Sequence, residues 1–185
     1  MERCEIILAG IGGQGLLLAG LILGDSAAIG EKKHAVQIES YAPLARGGAS
    51  KSEIIISTNE IDYPKIQKAD VLVALSKEAL ASSMNRVKPD GLIVLDSTVP
   101  LPGEDRRILH VPLTQIAVET TGKAFTVSIV ALGLVARITG VVGITSILTS
   151  IGFRAPTGTE DINRKAAEAG YKTAENYLPS AKDVA

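Results

Sequence analysis

The sequence predicts an α/β protein, built as a three-layer α/β/α sandwich around a mostly parallel, mixed sheet. Two observations lead to this fold class. Short apolar, β-branched runs alternate along the chain with longer helical patterns, and 46% of the residues are apolar against 21% charged, which is enough for a buried core. A length of 185 residues corresponds to one domain. We therefore expect a single domain over residues 1–178 and a frayed tail over residues 179–185.

The first part of the chain predicts three strands and one helix. Residues 5–9 are apolar and end at glycines, as in a strand buried on both faces of a parallel sheet, and residues 14–28 follow as a helix. Residues 35–41 alternate in character as a second strand, and residues 50–57 form a third. The eight residues 42–49 between them are too few for a helical crossover. These two strands therefore either pair antiparallel or are not sheet neighbours.

A buried strand and a capped helix follow near the middle of the chain. Residues 71–75 are apolar and predict the strand, and Ser76 is a suitable N-cap for a helix that extends to about Val87. Pro89 and Gly91 are the residues expected to end this helix. The next elements are predicted as strands at 92–96 and 108–111 and a helix at 114–122, capped by Thr114 and ended by Gly122.

The last third of the chain predicts three helices, one of them central. Residues 125–138 are apolar on nearly every side, with Ser128 and Arg137 as the main exceptions, so this helix should be buried. The other two helices are predicted at 144–151 and from a Thr157–Glu160 capping box to Tyr177.

The composition excludes several classes of function. Nineteen basic and twenty acidic side chains leave a net charge of −1, which gives no bulk attraction to nucleic acid or to an anionic membrane. Cys4 is the single cysteine, and one thiol holds neither a disulfide, an iron–sulfur cluster nor a structural zinc site. The uncharged run 6–24 contains six glycines and Gln14, which favours a strand, turn and helix over a membrane span. The acidic start predicts a cytoplasmic protein.

A glycine motif follows the first predicted strand. Gly-Ile-Gly-Gly-Gln-Gly at 10–15 satisfies G-x-G-x-x-G between a strand and a helix, and predicts a Rossmann-like turn. Glycines let the backbone approach a phosphate, and free N–H groups at the helix start favour an anion. A tight turn that packs helix against strand would also need small residues, so both interpretations stay open. A β-branched residue at Gly12 should not fit this turn. Glu39, 24 residues after Gly15, keeps NAD binding open.

A second informative segment joins the second and third strands. Tyr-Ala-Pro-Leu-Ala-Arg-Gly-Gly at 41–48 contains Arg46, whose planar guanidinium suits phosphate or carboxylate, and two glycines that permit close backbone approach. The alternative is a plain connection with a solvated arginine. His34, His110 and Cys4 lack the partner residues that catalysis would need, and we interpret them as structural or surface residues.

Taken together, these segments resemble one enzyme family. The chain resembles the gamma subunit, or gamma domain, of the 2-oxoacid:ferredoxin oxidoreductases in the motifs at 10–15 and 40–48, in Ala-Asp-Val-Leu-Val-Ala-Leu at 69–75 and in Gly-Leu-Ile-Val-Leu-Asp-Ser at 91–97. The resemblance continues through 163–171 and covers nearly the whole chain. Ser-Tyr-x-Pro-x-x-Arg-Gly-Gly looks most like the 2-oxoglutarate branch. Where that branch has Gly-Pro-Glu, this chain has Ala-Pro-Leu, which removes a carboxylate.

The resemblance implies a role in the oxidative decarboxylation of a 2-oxoacid with coenzyme A, giving acyl-coenzyme A, carbon dioxide and reduced ferredoxin. Thiamine diphosphate, Mg and iron–sulfur clusters would lie on partner subunits, namely alpha, beta and a ferredoxin-like delta. This chain would be a structural, coenzyme A-facing subunit without catalytic residues, inactive alone and able to form a homodimer in isolation. Its candidate cofactor-binding residues are Gly10, Gly12, Gly13, Gln14, Gly15, Tyr41, Arg46, Gly47 and Gly48.

Two functions outside this family stay open from the residues alone. One is a free-standing NAD-dependent dehydrogenase that uses Gly10, Gly12, Gly15 and Glu39, and the other is a non-enzymatic nucleotide-sensing module. A dehydrogenase would bind NAD as a single purified chain, whereas a subunit would co-purify with partner chains.

Overall fold

The computed structural model describes residues 2–41, 49–103 and 107–178, so the predicted tail lies outside the described residues. The strands of this part of the chain are β1 (Arg3–Ile11), β2 (His34–Tyr41), β3 (Ala49–Ser57), β4 (Ala69–Ala74), β5 (Val87–Asp96) and β6 (Ile108–Val111). The α-helices are α1 (Leu16–Asp25), α2 (Lys77–Ser83), α3 (Leu113–Thr121), α4 (Val127–Thr139), α5 (Ile144–Arg154) and α6 (Glu160–Thr173).

The strands form one mixed sheet in the order β2-β3-β1-β4-β5-β6. The four strands β1, β4, β5 and β6 are parallel, whereas β3 pairs antiparallel with both β1 and β2. The predicted mixed sheet is confirmed, and the alternative left open for the second and third strands is decided in favour of antiparallel pairing. A single connection, residues 42–48, joins this pair of strands.

Helices cover both faces of the sheet, but unequally. Alternate residues of β1 point to opposite faces: Ile6 and Leu8 join a large hydrophobic cluster with five helices, α1 and α3 to α6. Ile7 and Ala9 join a smaller cluster on the other face, where α2 is the covering helix. The three-layer α/β/α sandwich is thus confirmed, with one thick and one thin helical layer.

Helix α4 is the centre of the thick layer, as its apolar sequence predicts. Every residue from 127 to 136 is buried. Its nearest neighbour is α6, and the two backbones touch at two glycines. A Cβ atom on Gly133 would lie 2.9 Å from the carbonyl carbon of Ala167, and one on Gly170 would lie 2.7 Å from that of Val130. Both helices therefore need glycine at this crossing.

The predicted end of α2 is wrong. The α-helix stops at Ser83 and continues as a 3-10 turn at Met84–Arg86. Pro89 and Gly91, expected to terminate the helix, instead lie inside β5. The pairing of β4 with β5 is irregular here, since Ala69 and Val71 pair with residues 87 and 92, and the skipped residues need no ladder hydrogen bond. A proline, which has no N–H, is tolerated at such a position.

The predicted caps have mixed outcomes. Ser76 is confirmed as the N-cap of α2, because its hydroxyl accepts from the Ala79 N–H at 3.1 Å. Thr157 is not a cap: the chain turns at Gly158 with a φ of +84°, and α6 begins two residues later, after Thr159. Thr114 does not cap α3, which begins one residue earlier.

The predicted first helix also ends differently. Residues 26–30 form a π-helix that directly continues α1, and the chain then passes Glu31 before β2. The Glu31 carboxylate reaches the start of α5, where Oε1 accepts from the Gly143 N–H at 2.9 Å and from the Ser146 hydroxyl at 2.7 Å. A side chain from one segment thus caps a helix whose N-cap residue, Gly143, lies 112 residues away.

Glu31→Ala is expected to destabilise the protein by about 1 kcal/mol at neutral pH, the usual cost of losing a helix cap. The Gly143 N–H and the Ser146 hydroxyl hold the pKa of Glu31 below its ordinary value. The stabilisation is therefore complete above the unfolded-state pKa and is lost as the pH falls through the folded-state pKa. Urea unfolding at several pH values measures this, with Glu31→Gln as the control that retains an acceptor but does not titrate. If the loss of unfolding free energy in Glu31→Ala were the same at acidic and neutral pH, the ionised Glu31 carboxylate would not be the source of the stabilisation.

Candidate functional site

The glycine motif lies at the point where the sheet changes the direction of its connections. β1 leads into α1 on the thick layer, whereas its parallel neighbour β4 leads into α2 on the thin layer. Neighbouring parallel strands whose connections leave on opposite faces open a crevice beyond their carboxyl ends, where ligands of open α/β sheets bind. The turn at residues 10–15 lies at the carboxyl end of β1 and borders this region, which we call the crevice.

The Gln14 side chain connects the ends of β1 and β4. Its Oε1 accepts from the Ile11 N–H at 2.8 Å, and its Nε2 donates to the Leu75 carbonyl, at the end of β4, at 3.4 Å. A Cβ on Gly10 would overlap this carboxamide. Glycine at position 10 therefore leaves room for the Gln14 side chain to fold back and make these two hydrogen bonds.

Gly13 and Gly15 are required by the backbone conformation of the turn. Their φ angles are +93° and +74°, in the left-handed region that favours glycine. Gly15 is also the N-cap residue of α1 and supplies no capping side chain. A Cβ on Gly15 would lie 2.9 Å from the Ser128 hydroxyl of α4, so this glycine lets the two helix starts approach each other.

Gly12 differs from the other three glycines. It is exposed, its φ is not positive, and a Cβ there would have no atom within 4 Å. The expectation that a positive φ excludes a β-branched residue at Gly12 is wrong, because the left-handed positions of the turn are Gly13 and Gly15. Among the described residues, neither Gly12 nor Gly13 donates its N–H to an acceptor. The tight-turn and packing interpretation thus accounts for three of the motif glycines, and no contact among the described residues requires glycine at position 12.

The second predicted segment begins and ends beside this turn. Ile11 pairs with Ala49 and Gly10 with Ser50, while Ser50 pairs on its other side with Tyr41. The backbone positions that flank residues 42–48 therefore lie at the same edge of the sheet as the glycine motif. Arg46, Gly47 and Gly48 themselves lie outside the described residues, so their role remains a prediction.

Lys51 is a cation near this edge that the sequence analysis missed. It pairs with Ala9, next to the glycine turn, and its side chain leaves the sheet on the thin layer. The pKa of Lys51 is lowered, mainly by partial burial and to a smaller extent by the nearby Arg86 guanidinium. Its ammonium makes no ion pair within the described part of the chain, since the neighbouring Glu53 is held by Arg86. In the sequence, Lys51 is visible only as a lysine between two serines, Ser50 and Ser52, of a predicted strand.

Asp96 is a fully buried carboxylate at the carboxyl end of β5. Oδ1 accepts from the Thr98 N–H at 2.9 Å, and Oδ2 accepts from the Thr114 N–H at 2.7 Å, in the first turn of α3. The Thr98 hydroxyl is a further donor to Oδ1. Asp96 therefore ties the end of β5 to α3, and all its contacts are internal.

The residues that an NAD enzyme would need are not brought together. Glu39 lies on the edge strand β2, and β3 separates that strand from β1 and the glycine turn. His110 contacts the Val99 carbonyl through Nε2 at 3.0 Å. Cys4 is buried, and desolvation raises the pKa of its thiol to about 12, which agrees with its interpretation as a small apolar residue. The described residues include no group of three metal-ligating side chains.

No helix among the described residues has the length and apolar character needed to cross a membrane.

Three comparisons relate this chain to known proteins. A match to the family described as pyruvate ferredoxin/flavodoxin oxidoreductase covers residues 5–173. The 2-oxoglutarate synthase subunit KorC of Methanocaldococcus jannaschii is 43% identical over 177 residues, 94% of this chain and 95% of that protein. The gamma subunit of keto/oxoacid ferredoxin oxidoreductase from Geobacter sulfurreducens superposes with a TM-score of 0.84 at 36% identity, covering 95% of this chain and 98% of that one.

A more distant structure shares the fold. The 2-oxoglutarate:ferredoxin oxidoreductase of Magnetococcus marinus, solved with 2-oxoglutarate, coenzyme A and succinyl-CoA bound, superposes with a TM-score of 0.83 at 17% identity. The superposition covers 98% of this chain and 32% of that longer one, so the same architecture occurs there as part of a larger polypeptide.

Proposed function

Because this chain belongs to the pyruvate ferredoxin/flavodoxin oxidoreductase family, we propose that it is the gamma subunit of a complex that oxidises 2-oxoglutarate. The observation that carries the proposal is its similarity, along almost its full length, to subunit KorC of a 2-oxoglutarate synthase and to a gamma subunit of a keto/oxoacid ferredoxin oxidoreductase. The complex would convert 2-oxoglutarate and coenzyme A to succinyl-coenzyme A and carbon dioxide, and pass the electrons to ferredoxin. The NAD-dehydrogenase alternative has no comparable support.

The redox chemistry would belong to partner subunits. Iron–sulfur clusters need several thiolates, and this chain has one cysteine, which is buried and has a raised pKa. We propose that alpha, beta and ferredoxin-like delta subunits carry thiamine diphosphate, Mg and the clusters. The cytoplasmic location expected from the sequence also stays a prediction.

The crevice at the glycine turn is the part of this chain that we propose meets coenzyme A. Among the described residues, the N–H groups of Gly12 and Gly13 have no acceptor and Lys51 makes no ion pair. Together with the start of α1, these groups favour an anionic group at this edge. Arg46 would add a second cation from the connection beside it. A phosphate of coenzyme A is the group we favour, and a carboxylate of a neighbouring subunit is the alternative that the same chemistry allows.

The complex that co-purifies with this chain is expected to reduce ferredoxin when supplied with 2-oxoglutarate and coenzyme A. The expected kcat/KM for 2-oxoglutarate exceeds that for pyruvate or 2-oxoisovalerate, and the purified single chain is expected to be inactive. Native co-purification, identification of the partner chains and ferredoxin-reduction assays measure these outcomes. A preference for pyruvate would contradict the substrate, and recovery of an active single chain that binds NAD would contradict the subunit role.

A further inference from the structure

Three helices begin around one small cavity of about 120 Å³ next to the glycine turn. Gly15 is the N-cap residue of α1, Thr159 is the N-cap residue of α6, and Ser128 and Ile129 belong to the first turn of α4. These helices have 10, 13 and 14 residues, long enough for each to place a partial positive charge at its N-terminus. Three such ends around one cavity favour a negative charge inside it.

The Ser128 side chain is the one polar group here that the fold leaves unused. Ser128 is 2% exposed, and its hydroxyl is the single buried side-chain oxygen or nitrogen without a hydrogen-bond partner in the described residues. It lines the cavity and points toward Gly15, whose Cβ, if present, would lie 2.9 Å away. A buried hydroxyl without a partner is unfavourable, and an acceptor bound in the cavity would supply the missing hydrogen bond.

The other cavity walls limit the kind of anion. Leu18, Phe125, Ile129 and Pro156 supply hydrocarbon, and no lysine or arginine of the described part of the chain lines the cavity. A phosphate dianion would be poorly compensated there, because it needs several donors or cations. A carboxylate on a short hydrocarbon chain carries one charge and can place its carbon atoms against the apolar walls.

The nearby polar groups are compatible with such a ligand. The amide nitrogen of Asn163 donates to the Thr159 carbonyl at 2.9 Å and hydroxyl at 3.1 Å, so it holds the start of α6 in place. The first turn of α6 carries two acids, Glu160 and Asp161, and neither lines the cavity. The Glu160 carboxylate accepts from the Gly158 N–H at 2.7 Å.

We propose that this cavity is a binding site for a small aliphatic carboxylate, with the Ser128 hydroxyl as its side-chain donor. The described residues that line the cavity do not include Gly12, so the site differs from the outer side of the glycine turn. The proposal therefore does not depend on the subunit function proposed above, and either can fail without the other.

The test measures thermal unfolding and amide NMR shifts of the full chain with propionate, and with phosphate, chloride and neutral propionamide at matched ionic strength. Propionate is expected to raise the unfolding temperature more than the other solutes and to shift the amide signals of Gly15, Ile129 and Asn163. Ser128→Ala is expected to weaken propionate binding about tenfold or more, because a hydrogen bond to a charged group is lost. Without ligand, this variant should be as stable as the parent or more stable, since the hydroxyl has no internal partner.

Ser150→Ala is the matched control. Its hydroxyl is buried in α5 and bonded to the Ser26 hydroxyl at 3.1 Å, so the variant should lose stability but bind propionate like the parent. The proposal is overturned if Ser128→Ala binds propionate as well as the parent does, or if phosphate binds more tightly. It is also overturned if propionate stabilises no more than chloride, which would mean that the cavity holds water only.

Discussion

Gly170→Ala is expected to destabilise the protein by about 3 kcal/mol or more, the upper range for overpacking a core. A Cβ at this position would overlap the Val130 carbonyl and lie 3.1 Å from the backbone nitrogen of Leu134. The obstacle is the backbone of a buried helix, which cannot move aside as a side-chain end can. Since alanine normally favours a helix over glycine by about 1 kcal/mol, the expected loss has the opposite sign to the propensity effect.

The measurement is the free energy of unfolding in urea, with Gly152→Ala as the matched control. Gly152 also lies in a helix, α5, but a Cβ there would meet only the end of the Arg164 side chain, at 2.9 Å. The control should be neutral or slightly stabilising. A Gly170→Ala protein as stable as the parent would show that α4 and α6 can separate without cost, contrary to the packing described for this crossing.

The order of elements was predictable because hydrophobic period and turn residues are local signals. The apolar run at residues 125–138 identified a buried helix, and Gly122 and Gly140 end α3 and α4 in the left-handed conformation typical of helix C-termini. The insertion of β3 between β1 and β2 was not predictable in the same way. Strand order depends on which faces pack together in three dimensions, and the eight-residue gap excluded only a parallel crossover.

The candidate site, too, could be predicted from the sequence only in part. Its location at the turn after β1 followed from the motif, but the function of each glycine did not. Gly10 depends on where the Gln14 side chain folds, and Gly15 depends on an approach to α4, more than one hundred residues away in sequence. Ser128 was visible as a polar interruption of an apolar helix, yet only its burial without a partner gives it chemical interest.

If the crevice binds coenzyme A as proposed, Arg46→Ala is expected to weaken the binding of coenzyme A by roughly tenfold to a hundredfold in the assembled oxidoreductase. A charge-assisted hydrogen bond to a phosphate contributes about 1.5 to 3 kcal/mol. The stability of the chain should barely change, because the residue lies in a connection between strands. Arg46→Lys is the matched variant: it keeps the charge but loses the planar fork, and it should recover part of the affinity. The KM for coenzyme A and the subunit composition of the complex measure the effect.

Gly12→Val tests the same crevice from the glycine turn. A Cβ at Gly12 would meet no atom within 4 Å, and its φ is not in the left-handed region. The unfolding free energy of Gly12→Val should therefore stay within about 0.5 kcal/mol of the parent. The added side chain would occupy the place where an anionic group approaches the free N–H groups, and should raise the KM for coenzyme A. Gly24→Ala, at a glycine of α1 that also has free space around it, is the control. Unchanged coenzyme A dependence in both Gly12→Val and Arg46→Ala, with intact assembly, would show that this edge of the chain does not meet coenzyme A.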